Sequence, residues 1–266
     1  MRRVGNLTVA IEQPAGPRTR PPILLIHGMF GGAWQWERYQ SLLAERGYET
    51  HAINLRGHHG SRPVADIGKV TLAQFVDDAL EVADTLDRPI VMGHSMGGLI
   101  AQKVAERGRT RALVLVASAP PRWIPPVSWL LLRKQLKYMR ALLLFEPLLP
   151  KRADADVLMF NRTPLPDRDE QYPQLVPESG RAGFELSVGV EAVHAPRITA
   201  PVLVLTGTDD RFVVPRVAHA LANKYRATLK VYPSFAHHII VEPGWEKPCE
   251  DIVHWLEQTA SASAHA

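Results

Sequence analysis

Short apolar runs alternate along the chain with amphipathic stretches. Six of the runs read as strands: PILLI (22–26), ETHAIN (49–54), PIVMG (89–93), ALVLVAS (112–118), PVLVLTG (201–207) and TLKVYP (228–233). Most are near-continuous hydrophobes rather than alternating ones, the pattern of parallel strands covered on both faces. TLAQFVDDALEVADTL (71–86) opens with a Thr suited to an N-cap. A helical period gathers its Leu72, Phe75, Val76, Ala79, Leu80, Ala83 and Leu86 on one face. GGLIAQKVAERG (97–108) ends in a glycine that stops a helix, and PRVAHALANKY (215–225) and WEKPCEDIVHWLEQ (245–258) complete the alternation. The rhythm predicts an α/β fold with a doubly wound, mostly parallel sheet.

That rhythm breaks between Pro120 and Pro196. The interval opens with prolines (APPRWIPP), continues as a predicted helix VSWLLLRKQLKYMRALLLF (127–145), and then becomes irregular up to VHAP (193–196). With no strand predicted inside it, the interval reads as a helical cap or lid of residues 120–196 inserted into a core of residues 1–119 and 197–258. The small, polar tail TASASAHA (259–266) is expected to fray.

Composition narrows the class. Of 266 residues, 46% are hydrophobic and 22% charged, enough for a sizeable core. The formal net charge is +4, without a dense basic patch interleaved with aromatics, so no nucleic-acid partner is expected. One cysteine, Cys249, leaves no internal disulfide. MRRVGNLTVAIEQP lacks the continuous apolar core of a secretory signal, and no uncharged apolar stretch of about 18 residues occurs anywhere. The expectation is a cytoplasmic protein with no integral membrane segment.

Between a predicted strand and a predicted helix lies G-H-S-M-G-G (93–98). This fits the G-x-S-x-G elbow, in which Gly93 and Gly97 permit a turn tight enough to lift Ser95 off the sheet edge. The helix beginning there favours developing negative charge. A nucleophilic hydroxyl needs a base and the base needs an orienting acid, in chain order Ser, acid, His. After PVLVLTG the chain offers Asp209 and Asp210, and after TLKVYP it offers His237 and His238. Other singular residues have plainer readings. His58 and His59 are adjacent and suit no ordinary zinc spacing, so no metal site is expected. Asn6-Leu7-Thr8 and Asn161-Arg162-Thr163 are chance matches to a glycosylation pattern.

Five segments, LLIHGMFGG (24–32), NLRGHHGS (54–61), GHSMGG, GTDDRFVVP (207–215) and AHHIIVEPGW (236–245), make the chain resemble the α/β-hydrolase-fold serine hydrolases over nearly its whole length. The resemblance selects Asp210 as the acid and His237 as the base. It departs from the common pattern in having Ala236 where Gly often stands and in doubling the histidine. It implies an oxyanion hole from the backbone N–H groups of Met29 and Met96, a loop-shaping role for His27, and no cofactor.

The resemblance further implies acyl transfer from a small-molecule ester to water. Trp123, Trp129, Leu131 and Leu132 of the lid would face Met29, Phe30 and Trp34 across the site, which suits a hydrophobic substrate. Phe212 and His94 are further candidates for the pocket wall, although His94 is equally suited to simple packing. The leucines and cations of the 127–145 helix fit either a lid over the pocket or a helix lying on a membrane surface. Carbon–carbon bond hydrolases, hydroxynitrile lyases and cofactor-free haloperoxidase-like enzymes use the same triad. A ligand-binding receptor on this fold is the reading from another class.

Overall fold

The computed structural model describes residues 1–125 and 129–264, with side chains through Ala260. The chain begins with β1 (Arg2–Val4) and β2 (Leu7–Glu12), a hairpin outside the predicted set. Gly5 turns it with a positive φ of 55°. β3 (Ile23–Ile26), α1 (Glu37–Glu45), β4 (Thr50–Asn54), α2 (Leu72–Ala83), β5 (Ile90–His94), α3 (Met96–Ala105) and β6 (Ala112–Val116) follow. The interval after β6 holds α4 (Trp129–Gln135), α5 (Met139–Leu144), β7 (Pro147–Leu148), α6 (Arg152–Leu158), α7 (Leu165–Gln171), β8 (Glu178–Ser179) and α8 (Gly180–Val188). The chain closes with β9 (Val202–Gly207), α9 (Pro215–Tyr225), β10 (Thr228–Tyr232) and α10 (Glu246–Ala264).

Eight strands form one sheet in the order β1-β2-β4-β3-β5-β6-β9-β10, parallel from β4 onward. Every residue of β3, β4, β5, β6 and β9 is buried, the reason that all but β4 run mainly apolar without alternating, while β4 buries Thr50, His51 and Asn54 in hydrogen bonds. Two apolar layers cover the sheet. One joins Leu24, Ile26, Phe75 and Ile100; the other joins Leu25, Trp36, Tyr39 and Ile252. Each fully buried side chain of this size contributes about 1.5–3 kcal/mol. On α2, Thr71 accepts from the Gln74 amide at 3.1 Å while Gln74 accepts from the Thr71 amide at 3.0 Å, closing a capping box. Asp78 on the same helix is buried too. It receives Arg56 and Arg62, which tie down the turn after β4.

Besides the β1–β2 hairpin and α1, the structure departs from the predicted elements within the insertion. The single helix expected over 127–145 is divided into α4 and α5 by a 3-10 turn at Leu136–Tyr138, while Val127 and Ser128 lie outside the described residues. The interval between β6 and β9 contains a short antiparallel pair, β7 with β8, where no strand was expected. α10 extends to Ala264, and residues 265–266 lie outside the described residues.

Candidate active site

The loops that leave β3, β4, β5, β9 and β10 meet at the carboxyl end of the sheet. Ser95, directly after β5, adopts φ 54° and ψ −121°, a left-handed backbone rare for a non-glycine residue. Its N–H donates to the Val116 carbonyl at 3.1 Å, and its carbonyl accepts from Gly98 and Ala119, so the strained turn is held from both sides. The flanking glycines are sterically required. A Cβ on Gly93 would lie 2.1 Å from the Gly97 carbonyl oxygen, and one on Gly97 would lie 2.3 Å from that of Ile26.

His237 brings Nε2 to 3.0 Å from Ser95 Oγ and Nδ1 to 2.9 Å from Asp210 Oδ2. Asp210 keeps its other oxygen on the Phe212 and Val213 amides, at 2.9 and 2.8 Å. All three side chains are buried. Asp209 instead faces outward and pairs with Arg162, whose hydrogen bond lowers its pKa. The His238 ring packs edge-on against Phe160 at 4.8 Å, and neither of its buried nitrogens has a hydrogen-bond partner among the described residues. Burial first, then His94 and His237, hold His238 well below the ordinary histidine pKa.

His94 sits under the centre. Its Nε2 lies 2.8 Å from the His237 carbonyl. Burial, reinforced by the nearby His237, pushes its pKa down to about 3, so the neutral ring donates Nε2–H to that carbonyl. His27 is also kept neutral by burial. It accepts from the Leu55 amide at Nε2 (3.2 Å) and donates from Nδ1 to the Gly28 carbonyl (2.8 Å). That contact shapes the Gly28–Phe30 loop. Met29 lines the cavity above Ser95, and so does Met96, the first residue of α3, where backbone N–H groups have no intrahelical acceptor.

One further group has no local signature in the sequence. Glu178, fully buried on β8, accepts from the Phe30 amide at 3.3 Å and lies 3.1 Å from His58 Nε2. Phe30, strained at φ 67°, also receives the Val176 amide on its carbonyl. Burial works to lower the His58 pKa, but the charge and hydrogen bond of Glu178, with the Arg56 carbonyl, outweigh it and raise the pKa. A buried charge pair therefore joins the turn after β4 to the β7–β8 pair and to the Met29 loop.

The cavity over Ser95 comprises about 950 Å³ of atom-free space including its open mouth. Its walls are mainly Leu131, Leu142, Leu148, Leu158, Leu186 and Phe212, with Lys134, Tyr138 and Asp154 as a polar cluster. Asp154 takes Lys134 at 2.7 Å and Tyr138 at 2.9 Å, which brings its pKa to about 2. A recess of about 200 Å³ also reaches Ser95, lined by His94, His237, His238, Met159, Met29, Phe30 and Phe212. Phe212 stacks 4.9 Å from the His237 ring.

Two tryptophans expected on the wall are elsewhere. Trp123 is exposed, turned out by a positive φ of 77° with the Arg122 guanidinium over its ring. Trp34, in the 3-10 turn at Ala33–Trp36, is half-buried against the apolar layer that contains Leu24 and Ile26 and is not among the residues lining the cavity. Trp129 and Leu132 are exposed as well, and only Leu131 of the expected lid residues reaches the cavity.

Comparison with known proteins gives relatives of similar length. The chain is 26% identical to a non-heme chloroperoxidase of Burkholderia pyrrocinia, over 85% of this chain and 88% of the relative. It is 27% identical to a monoacylglycerol lipase of Mycolicibacterium smegmatis, over 89% and 88%. Among solved structures, a monoacylglycerol lipase of Paleococcus ferrophilus superposes with a TM-score of 0.72 at 23% identity, covering 95% of this chain and 99% of the other. A thermophilic esterase of Thermogutta terrifontis gives 0.72 at 21%, covering 95% and 93%. The model of the alpha/beta hydrolase family matches residues 23–254, and the chain belongs to that family.

Proposed function

We propose that the protein is a serine hydrolase that cleaves carboxylic esters of small hydrophobic acids through an acyl-enzyme. The observation that carries this reading is the unbroken chain of hydrogen bonds from Ser95 Oγ through His237 to Asp210. His237 Nε2 takes the Ser95 proton as Oγ attacks the ester carbonyl. The Met29 and Met96 amides stabilise the oxyanion, while Asp210 holds Nδ1–H and stabilises the imidazolium. The imidazolium then gives its proton to the leaving alcohol. Water, deprotonated by the same nitrogen, attacks the acyl carbon, and collapse returns the proton to Ser95 and releases the acid. Residues 120–196 act as the lid, and the leucine wall above Ser95 receives the acyl chain.

Purified protein assayed on p-nitrophenyl esters of increasing acyl length tests the reading. Medium-chain esters should exceed the acetate in kcat/KM, and Ser95→Ala should lose several orders of magnitude in kcat. A preference for short polar esters, or near-normal turnover by Ser95→Ala, refutes it. Likeness to the Burkholderia chloroperoxidase favours a second reading, in which hydrogen peroxide replaces water at the acyl-enzyme. Peroxide-dependent halogenation that exceeds ester hydrolysis would establish that alternative.

A further inference from the structure

The apolar residues left outside the core are concentrated on the insertion between β6 and β9. Trp123 is 89% exposed, Trp129 77%, Leu136 61% and Leu144 59%, although solvent offers such side chains no favourable partner. They belong to one region. Arg122 bonds the Gly189 and Glu191 carbonyls, which ties the chain carrying Trp123 to the exposed end of α8 at Val188 and to the exposed Val190 just beyond it. Gln135 on α4 contacts Ser187 on α8 at 3.4 Å. The same helices line the cavity with their other faces, through Leu131, Leu142 and Leu186. The exposed face is therefore continuous with the rim of the substrate cavity.

Charge identifies what covers it. Residues 122–152 contain seven Lys or Arg and one acid, leaving 24 Lys or Arg against 26 Asp or Glu in the rest of the chain. The entire net positive charge of the protein thus resides on this stretch. Arg122 and Arg133 are exposed there among the tryptophans and leucines, beside the exposed Lys137 and Arg140, which pair with Asp154 and Glu146. Interleaved aromatic, leucine and basic side chains match an interface of acyl chains below anionic headgroups.

We propose that the outer face formed by residues 122–125 and 129–149 docks on an anionic lipid surface and holds the cavity mouth against it. Docking needs no catalysis, so full-length Ser95→Ala protein tests it separately from the ester-hydrolase reading. The probe is sedimentation with phosphatidylcholine vesicles, with and without phosphatidylglycerol, at low and high salt. The anionic vesicles should bind at least about tenfold more tightly, and added salt should weaken the binding. Trp129→Ser with Leu136→Glu should lose about tenfold or more in vesicle affinity. The same pair in the otherwise native chain should keep kcat/KM on a soluble short-chain ester within about twofold. Should that pair fail to fold, Arg122→Ser with Arg133→Ser should remove the anionic preference alone. The proposal is overturned by absent vesicle binding at low salt, by equal binding to neutral vesicles, or by dimerisation that the Trp129/Leu136 pair abolishes.

Discussion

Removing the Glu178 carboxylate should weaken both the fold and the site, because that side chain joins three segments with no chain continuity between them. In Glu178→Ala the Phe30 amide loses its acceptor and His58 loses its buried anion, with both residues of the pair fully shielded from water. Breaking a buried charge pair on one side costs about 3–5 kcal/mol. At roughly 2–4 °C per kcal/mol for a chain of this size, Tm should fall on the order of 10 °C. The loss should depend on pH. The His58 pKa is raised in the folded state, so its stabilisation is fully present below about pH 6.5 and disappears as pH rises through the folded value. Urea unfolding of both proteins at pH 6 and pH 9 should therefore show the larger difference at pH 6. Freed on one side, the Met29 loop should also lower kcat roughly 10- to 100-fold. A difference under about 1 kcal/mol at pH 6, or one that grows with pH, would refute this account of the pair.

His94→Ala removes the donor to the His237 carbonyl and should lower kcat about tenfold with little change in KM. Because native His94 is neutral above about pH 3, steady-state profiles should lose no ionisation in that variant. Burial, aided by Asp210, raises the Glu242 pKa from 4.5 to about 7, against the pull of the Ala236 amide and His237. Between those values the folded chain keeps a proton the unfolded chain releases, so native stability should fall as pH rises, by about 3 kcal/mol in total. Glu242→Gln should abolish that fall in denaturant titrations. Gly183 lines the cavity, and a side chain there meets Leu142 and Met29 at 3.0 and 3.5 Å. Gly183→Leu should cut kcat/KM about tenfold on a medium-chain ester while p-nitrophenyl acetate hydrolysis changes less than about twofold.

Residues near one another in sequence revealed more of this molecule than residues that meet only in space. The six apolar runs correspond to β3, β4, β5, β6, β9 and β10; the first five are buried along their whole length, which favours apolar side chains at consecutive positions, whereas β10 is an edge strand with only Tyr232 buried. β2 escaped because only part of it is covered and its pattern alternates around Leu7 and Val9. α1 escaped because its buried face includes Gln40, which bonds the Ala10 carbonyl instead of contributing apolar surface. At the site, Ser95 is legible from its glycines, whose role is local and steric. Asp210 and His237 follow from chain order together with the family resemblance, which sets them apart from Asp209 and His238, and the side-chain directions agree with that choice. Glu178 meets His58 across 120 residues and leaves no trace in spacing. Trp123 shows the opposite case, an apolar side chain whose direction depends on a positive φ rather than on its residue type.

The central claim is that Ser95 Oγ is the group that becomes acylated. Intact-protein mass spectrometry with peptide mapping, after exposure to a fluorophosphonate probe, measures this directly. One adduct per chain on Ser95, absent in Ser95→Ala and greatly slowed in His237→Ala, is the result the account predicts. A native protein that stays unlabelled while hydrolysing esters, or an adduct on another residue that persists in Ser95→Ala, would contradict it.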